Sequence, residues 1–453
     1  MNRDAANGSP RGARSEMSDA GVMRQKDEFT DRFLVLLDPG AADQGMAALQ
    51  SKAGIARAER ARGAEPEAVA EMLEQGGSIV FEELGVGVVR AAPDQLHALQ
   101  ATAQEESAII TMERERVLYA TQLVAAPPGT AGTTADYLRG YQDGVEELVN
   151  HALQRFEAAN LAEVLAAAFD ESQATWGLQA TRVVESTFTG QGVKVAVLDT
   201  GVDRTHPDLM GRFGGVKSFV QGETADDVVG HGTHCIGTAC GPKAPRSLPR
   251  YGVACESEIF VGKVLNNQGR GPDSSILAGV NWAVRHGCRV VSMSLGAPIG
   301  VGQRFSRVFE HAAQRALRAG TLIVCAAGNG SDRPDLIEPV EHPANCPSIL
   351  AVAALDKDQK VAFFSNRGIN PDGGQVDIAA PGVGVISAFP MPKEHKTLMG
   401  TSMATPHVAG ILALLAQANP DASAAELKSL LLAGARRSTI PGADVGVGLV
   451  QAP

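Results

Sequence analysis

The sequence predicts an α/β protein, a parallel sheet with helices on both faces, preceded by a small separate α+β unit. Three observations carry this. From Thr175 onward, continuous apolar runs alternate with helical stretches, the pattern of strands buried on both faces and the helices that cross between them. Upstream, about 90 residues carry strand and helix signals in the order β-α-β-β-α-β, a split βαβ pattern. Between the two lies Pro127-Pro128-Gly129 and then an Ala/Leu/Glu-rich stretch, which separates them as a linker.

The divisions are a polar tail over 1–28, a first unit over 29–120, a helical linker over 121–174 and the main domain over 175–453. In the first unit, Asp31 to Leu37 is an apolar run stopped by Asp38-Pro39-Gly40, a strand and then a turn. Met46, Leu49 and Ala53 sit at helical spacing, so 41–53 is a helix. Residues 54–75 read as an irregular or helical insertion. Ser78–Phe81 and Val86–Arg90 are strands, a helix runs from Pro93 through Ala101, and a last strand starts at Ala108 and ends near Tyr119. Leu138, Tyr141, Val145 and Leu148 space one or two linker helices over 134–169. In the main domain the predicted strands are 193–198, 259–264, 289–293, 322–326 and 349–353. The predicted helices are 274–285, 305–319 and 403–417.

Composition excludes several classes. The chain has 453 residues, 44% of them hydrophobic and 20% charged, enough to bury a large core in two or three domains. Its net charge of −11 argues against non-specific nucleic-acid binding, which needs Lys and Arg against phosphate. Six scattered cysteines without a C-x-x-C pair do not make a disulfide scaffold. The most apolar stretch, Val408 to Ala418, is shorter than a membrane span. Met1 to Phe29 has no apolar core of signal-peptide type, so the expected compartment is the cytoplasm, with export left open.

Chemistry concentrates in three segments: Asp199-Thr200-Gly201-Val202-Asp203 after a strand, Gly230-His231-Gly232-Thr233-His234, and Gly400-Thr401-Ser402-Met403-Ala404-Thr405-Pro406-His407 opening a helix. Singly they read as a turn, a loop and a helix cap. Together they supply an acid, a base and a hydroxyl. A hydroxyl is a poor nucleophile until a base takes its proton. The base in turn needs a carboxylate to fix its tautomer. A nucleophile at a helix start also has backbone N–H groups aimed at a developing anion.

These motifs, D-T-G-V-D, H-G-T-H-C-I-G-T and G-T-S-M-A-T-P-H-V-A-G in that order, resemble those of the subtilisin-like serine proteases over about residues 175 to 453. The resemblance implies an endopeptidase in which Asp199 orients, His231 is general base and acid, and Ser402 is the nucleophile. It also implies that Asn329, in Ala326-Ala327-Gly328-Asn329, donates to the oxyanion together with the Ser402 backbone. An extended peptide or protein substrate would lie between Ser294-Leu295-Gly296 and Gly269-Arg270-Gly271, with Ala327, Gly328, Asp273 and Glu341 also lining its site. Glu341, at the floor of the pocket for P1 (the residue on the amino side of the cut bond), implies a preference for Lys or Arg there. Asp273 adds a preference for basic residues further upstream.

No cofactor is required for such chemistry, although the family often binds structural calcium. Pro347, Ile349 and Asp377 match a weak cation site. Asp208 matches a ligand of a stronger one, whose partner loop is replaced by Gly241 to Arg250, so that site is expected to be lost. Cys235, four residues after His231, matches a buried free thiol. Cys240–Cys255 and Cys325–Cys346 are open as disulfides. The first unit resembles the family's inhibitory propeptide, a partner in cis, with cleavage expected near Tyr119, just before Thr175, or at both. Two other readings stay open: a processing protease dedicated to one peptide, and a regulatory protein that never matures.

Overall fold

The computed structural model describes residues 28–38, 40–61, 66–121 and 169–453. The predicted tail, and the linker helices up to residue 168, lie outside these. The first unit runs β1 (Phe29–Leu37), α1 (Ala42–Ala53), β2 (Ala58–Arg60), α2 (Pro66–Glu74), β3 (Ser78–Phe81), β4 (Val86–Arg90), α3 (Leu96–Glu105) and β5 (Ile109–Ala120). Within it the strand order is β5-β1-β4-β3-β2, with β1 antiparallel to both neighbours. The stretch predicted as an irregular or helical insertion contains β2 and α2.

Alternation explains how this sheet is used. Successive residues of a strand face opposite sides. Phe33, Val35 and Leu37 of β1 pack with Leu49 and Ala53 of α1 and Leu99 of α3. Leu34 and Leu36, with Ile79, Phe81, Val86 and Val88, join the core cluster of the main domain instead. One face is thus the unit's own core, and the other is buried against the larger domain. Each such buried Leu or Ile contributes about 1.5–3 kcal/mol relative to exposure, so separating the two bodies is costly.

The main domain continues with α4 (Trp176–Ala180), β6 (Lys194–Asp199), β7 (Phe213–Ser218), α5 (His231–Cys240), β8 (Glu258–Lys263), β9 (Arg270–Pro272) and α6 (Asp273–Arg285). It then runs β10 (Val290–Met293), β11 (Leu295–Gly296), α7 (Arg307–Arg318), β12 (Leu322–Ala326), β13 (Leu350–Leu355) and β14 (Ile378–Pro381). A hairpin of β15 (Val385–Ala388) and β16 (His395–Leu398) leads to α8 (Thr401–Ala418), α9 (Ala424–Gly434) and α10 (Gly442–Val445). Seven strands form one parallel sheet in the order β14-β13-β12-β10-β6-β8-β7. The five predicted strands are its centre. The two edge strands are additions: β7 reads FGGVKS and β14 reads IAAP, too glycine-rich or too short to stand out by pattern.

Helix α8 is buried from Thr401 to Ala416 on every side, as expected of a helix apolar all round. It packs on β10, β12, β13 and β14. The first turn of α8 is thereby held rigidly beside the carboxyl ends of the central strands, where chemistry in such sheets sits.

Candidate active site

One strand end and two helix starts converge. Asp199 closes β6, His231 opens α5, and Ser402 is the second residue of α8. All three are buried. Asp199 Oδ1 accepts from His231 Nδ1 at 2.7 Å and from the Thr200 N–H at 2.7 Å. Burial works against a charged His231, but the Asp199 carboxylate beside it, with Cys235, holds its pKa well above the usual value. Among the described residues, His231 Nε2 has no hydrogen-bond partner. It is the ring nitrogen left to receive a proton.

The close approach of α5 to the Asp199 loop depends on glycine. A Cβ on Gly232 would lie 2.3 Å from the Gly201 carbonyl oxygen. One residue that sequence reasoning missed fixes this helix start. Asp227 is buried, and its Oδ1 accepts from the Gly230 N–H at 2.7 Å and from Thr200 Oγ1 at 2.9 Å. Its Oδ2 accepts from the Thr233 N–H at 2.8 Å and from Thr233 Oγ1 at 2.7 Å. A carboxylate satisfying the orphan N–H groups of a helix start is stabilising. The signal was an Asp shortly before Gly-His, at capping distance.

Beyond the strand ends the first unit enters. The end of β5 pairs antiparallel with β11, Ala120 opposite Leu295 and Tyr119 opposite Gly296. On its other side it pairs with β9, Val117 opposite Pro272, Leu118 opposite Gly271 and Tyr119 opposite Arg270. Ala120 N–H donates to the Gly269 carbonyl at 2.8 Å. Leu118 is fully buried. The chain then reaches Thr121, whose carbonyl oxygen accepts from Asn329 Nδ2 at 2.6 Å and from Ser402 Oγ at 2.7 Å. Thr121 Oγ1 also contacts Ser402 Oγ. Asn329 is oriented by its own oxygen, which accepts from the Thr401 N–H and from Thr401 Oγ1, both at 2.9 Å. Ser294 lies under the serine, its Oγ donating to the Ser402 carbonyl at 2.8 Å.

Two acidic residues of β5 anchor this strand from below. Glu115 is fully buried and accepts from the Ser274 N–H at 2.9 Å, at the start of α6, and from Arg32 Nε at 2.6 Å. Glu113 accepts from the Arg307 N–H at 2.7 Å and from Ser306 Oγ at 2.6 Å, at the start of α7. Each carboxylate sits at a helix N-terminus, where the backbone dipoles favour negative charge.

The remaining sequence-derived residues divide. Asp273 touches the strand, but it reads backbone rather than a basic side chain. It is fully buried, its Oδ2 accepts from the Arg116 N–H at 2.7 Å, and its Oδ1 faces His342 Nε2 at 3.1 Å. Glu341 is buried between the backbones of Gly296 and Gly328. Ala327 N–H donates to the Val352 carbonyl, and the Ala327 carbonyl accepts from the Glu341 N–H at 2.9 Å.

The proposed cation site does not fit a metal. Lys428 Nζ donates to the Pro347 carbonyl at 3.1 Å and lies 3.8 Å from Asp377 Oδ1. Asp377 Oδ2 already accepts from the Ala351 N–H, and Ile349 is a buried core residue. A hard cation needs several free oxygens, and here an internal ammonium takes the carboxylate and one carbonyl. Asp208 is likewise engaged within the protein, accepting from Tyr251 Oη at 2.7 Å and facing His395 Nε2 at 3.2 Å. Among the described residues, the one His/Cys/Asp/Glu group close enough to hold an ion is Asp199, His231 and Cys235, which is the site itself. A chelator is therefore expected to leave the thermal unfolding midpoint unchanged, whereas Lys428→Met lowers it. A fall on chelation, reversed by calcium, would contradict this.

All six cysteines are free and buried. Cys325 and Cys346, open as a pair by sequence, donate to different carbonyls, those of Leu295 and Ser306. Cys240 and Cys255 are free as well. Cys235 Sγ faces the Ser402 carbonyl at 3.5 Å, and burial raises its thiol pKa, which keeps it in the unreactive thiol form.

A parallel sheet with this hydroxyl, imidazole and carboxylate at its strand ends is the architecture of an α/β serine hydrolase. Comparison with known proteins gives the family. The subtilase family, peptidase S8, matches residues 190–449. Subtilisin BL of Lederbergia lenta is 41% identical over 260 residues, 56% of this chain and 89% of that protein. The intracellular serine protease of Paenibacillus polymyxa is 39% identical over 233 residues, 50% of this chain and 68% of that protein. The major intracellular serine protease of Bacillus subtilis is 37% identical over 232 residues, 50% of this chain and 69% of that protein. The chain belongs to the subtilase family and is a subtilisin-like serine endopeptidase. No helix among the described residues is long and apolar enough to cross a membrane.

Proposed function

We propose that the chain is a self-cleaving zymogen whose first unit presents residues 117–121 to the active site as its first substrate. The observation that carries this is the placement of the Thr121 carbonyl oxygen, within hydrogen-bond reach of both Asn329 Nδ2 and Ser402 Oγ. The strand leading to it is held on both sides by main-chain pairing, the mode in which an extended peptide is added to a sheet edge. On this reading the bond cut is Thr121–Gln122, two residues beyond Tyr119.

Ser402 is the nucleophile, His231 the general base and Asp199 the residue that orients it. Ser402 Oγ now donates to Thr121, and reaction requires it to turn to His231 Nε2, which has no other partner among the described residues. Oγ then attacks the Thr121 carbonyl carbon while Nε2 takes its proton. The oxyanion forms where Asn329 Nδ2 and the Ser402 backbone N–H can donate to it. Imidazolium next protonates the departing Gln122 nitrogen, and water hydrolyses the acyl-enzyme by the same route in reverse.

After the cut the first unit stays an inhibitor until it leaves. Its apolar face, and Glu113 and Glu115 at two helix starts, hold it in place. Substrates of the freed enzyme bind as the 117–121 strand does, with an apolar residue in the place of Leu118. The test is Asn329→Ala in the matured enzyme. It should lower kcat by about 10²–10³ with little change in KM, because the lost donor acts on the transition state. An unchanged kcat would remove Asn329 from the mechanism.

A further inference from the structure

Glu341 is an acidic group with no cation to balance it among the described residues, placed beside the residue at P1. A Cβ on Gly296 would lie 2.3 Å from Glu341 Oε2 and 3.3 Å from Thr121 Cγ2. A Cβ on Gly328 would lie 2.6 Å from Glu341 Oε1. The carboxyl group and the Thr121 side chain therefore flank the same glycine, and the carboxyl fills the space that side chains on these two backbones would occupy.

The groups facing it are few. Asn329 N–H and, at 3.5 Å, Asn366 Nδ2 approach it as donors. Glu338 adds negative charge, and the Cys325 thiol of β12 feels the carboxylate from below. Strand β11 contributes glycine and leucine, and the bound strand contributes an uncharged threonine. His342, next in the chain, turns to Asp273 instead. Among the described residues no ion pair joins Glu341 to a Lys, Arg or His. Burial pushes its pKa up to about 7.

We propose that Glu341 makes the residue accepted at P1 depend on pH: the pocket takes a small neutral side chain when the carboxyl is protonated, and a lysine or arginine when it is ionised. This rests on the protease reading above and names the substrate class of the same pocket. A buried carboxylate without a counter-ion is costly, and a cationic P1 side chain supplies that counter-ion through a charge-assisted hydrogen bond. A protonated carboxyl offers a cation no such return for its desolvation, while a threonine loses nothing. The sign follows from a raised carboxyl pKa: the neutral form prevails below it and the charged form above. Self-cleavage after Thr121 thus belongs to the protonated pocket, and cleavage after basic residues to the ionised one.

The experiment uses the matured enzyme and two reporter peptides, Leu-Tyr-Ala-Thr and Leu-Tyr-Ala-Arg, the first matching residues 118–121. kcat/KM is measured for both from about pH 5 to about pH 9, which reports groups titrating in the free enzyme. Titration of His231 affects both substrates and cancels in their ratio. The Arg:Thr ratio should rise at least about tenfold across this range, a gain of about 1.4 kcal/mol, with a midpoint near neutrality. Glu341→Gln should give a flat ratio, and so should Glu341→Gly, which empties the pocket rather than refilling it. A flat ratio in the wild type, or the same rise in both variants, overturns the proposal. Hydrolysis of neither peptide, or equal hydrolysis by a Ser402→Ala preparation, would instead remove the protease reading and this inference with it.

Discussion

Ser402→Ala is expected to leave the full-length chain uncut on prolonged incubation and to lower peptide hydrolysis by about 10⁶-fold, the scale of losing the nucleophile in this family. Among the described residues, Ser402 Oγ is the one hydroxyl bonded to the Thr121 carbonyl oxygen. Cys235, the nearest thiol, lies under the Ser402 carbonyl and is held as a thiol by burial. The Thr121 hydroxyl belongs to the substrate itself. Removing Oγ deletes a small group from a rigid, fully buried helix start, so the variant should fold and keep the first unit bound. Residual hydrolysis within about tenfold of wild type would assign the nucleophile elsewhere. The measurement is single-turnover and steady-state hydrolysis by the purified variant, each compared with the uncatalysed rate.

Asp199→Asn should cost about 10⁴-fold in kcat, with the backbone unchanged. Asp199 Oδ1 accepts from His231 Nδ1, which leaves Nε2 as the basic nitrogen of the ring. An amide can present its NH2 to Nδ1 and stabilise the other tautomer, with the proton on Nε2, where it cannot serve as base. The pH profile adds a second readout. With His231 as the proposed general base, activity should fall as pH drops through its pKa. Asp199 holds that pKa up. Without the charge, the acid limb of the variant should move to lower pH. A limb that stays in place, or moves upward, would mean that Asp199 does not act on His231 in this way.

Much of the candidate site was legible because its residues fall in contiguous motifs. Asp199, His231, Asn329 and Ser402 each follow or open an element whose period is clear, and the central strands are uninterrupted apolar runs. What was not legible depended on groups distant in the chain. Lys428 reaches the Pro347 and Asp377 position from helix α9, and nothing in the spacing around Asp377 announces this ammonium. Asp273 reads locally as an acidic residue lining a pocket, yet the fold turns it to a backbone N–H and His342. Strand β7 was hidden by Gly214 and Gly215. At Gly215 a Cβ would lie 3.0 Å from both the Phe260 and Trp282 rings, so packing rather than propensity places that strand. The end of the first unit was expected near Tyr119. Pattern could follow β5, but only the fold brings the Thr121 carbonyl to Asn329 and Ser402.

Purified wild-type and Ser402→Ala chains should be followed by intact mass and N-terminal sequencing. The expected result is a wild-type cut into two pieces, one ending at Thr121 and one beginning at Gln122, with the variant intact. Cleavage of the wild type at a different bond alone, or the same cut at the same rate in the variant, would contradict the assignment of residues 117–121 as the enzyme's own first substrate.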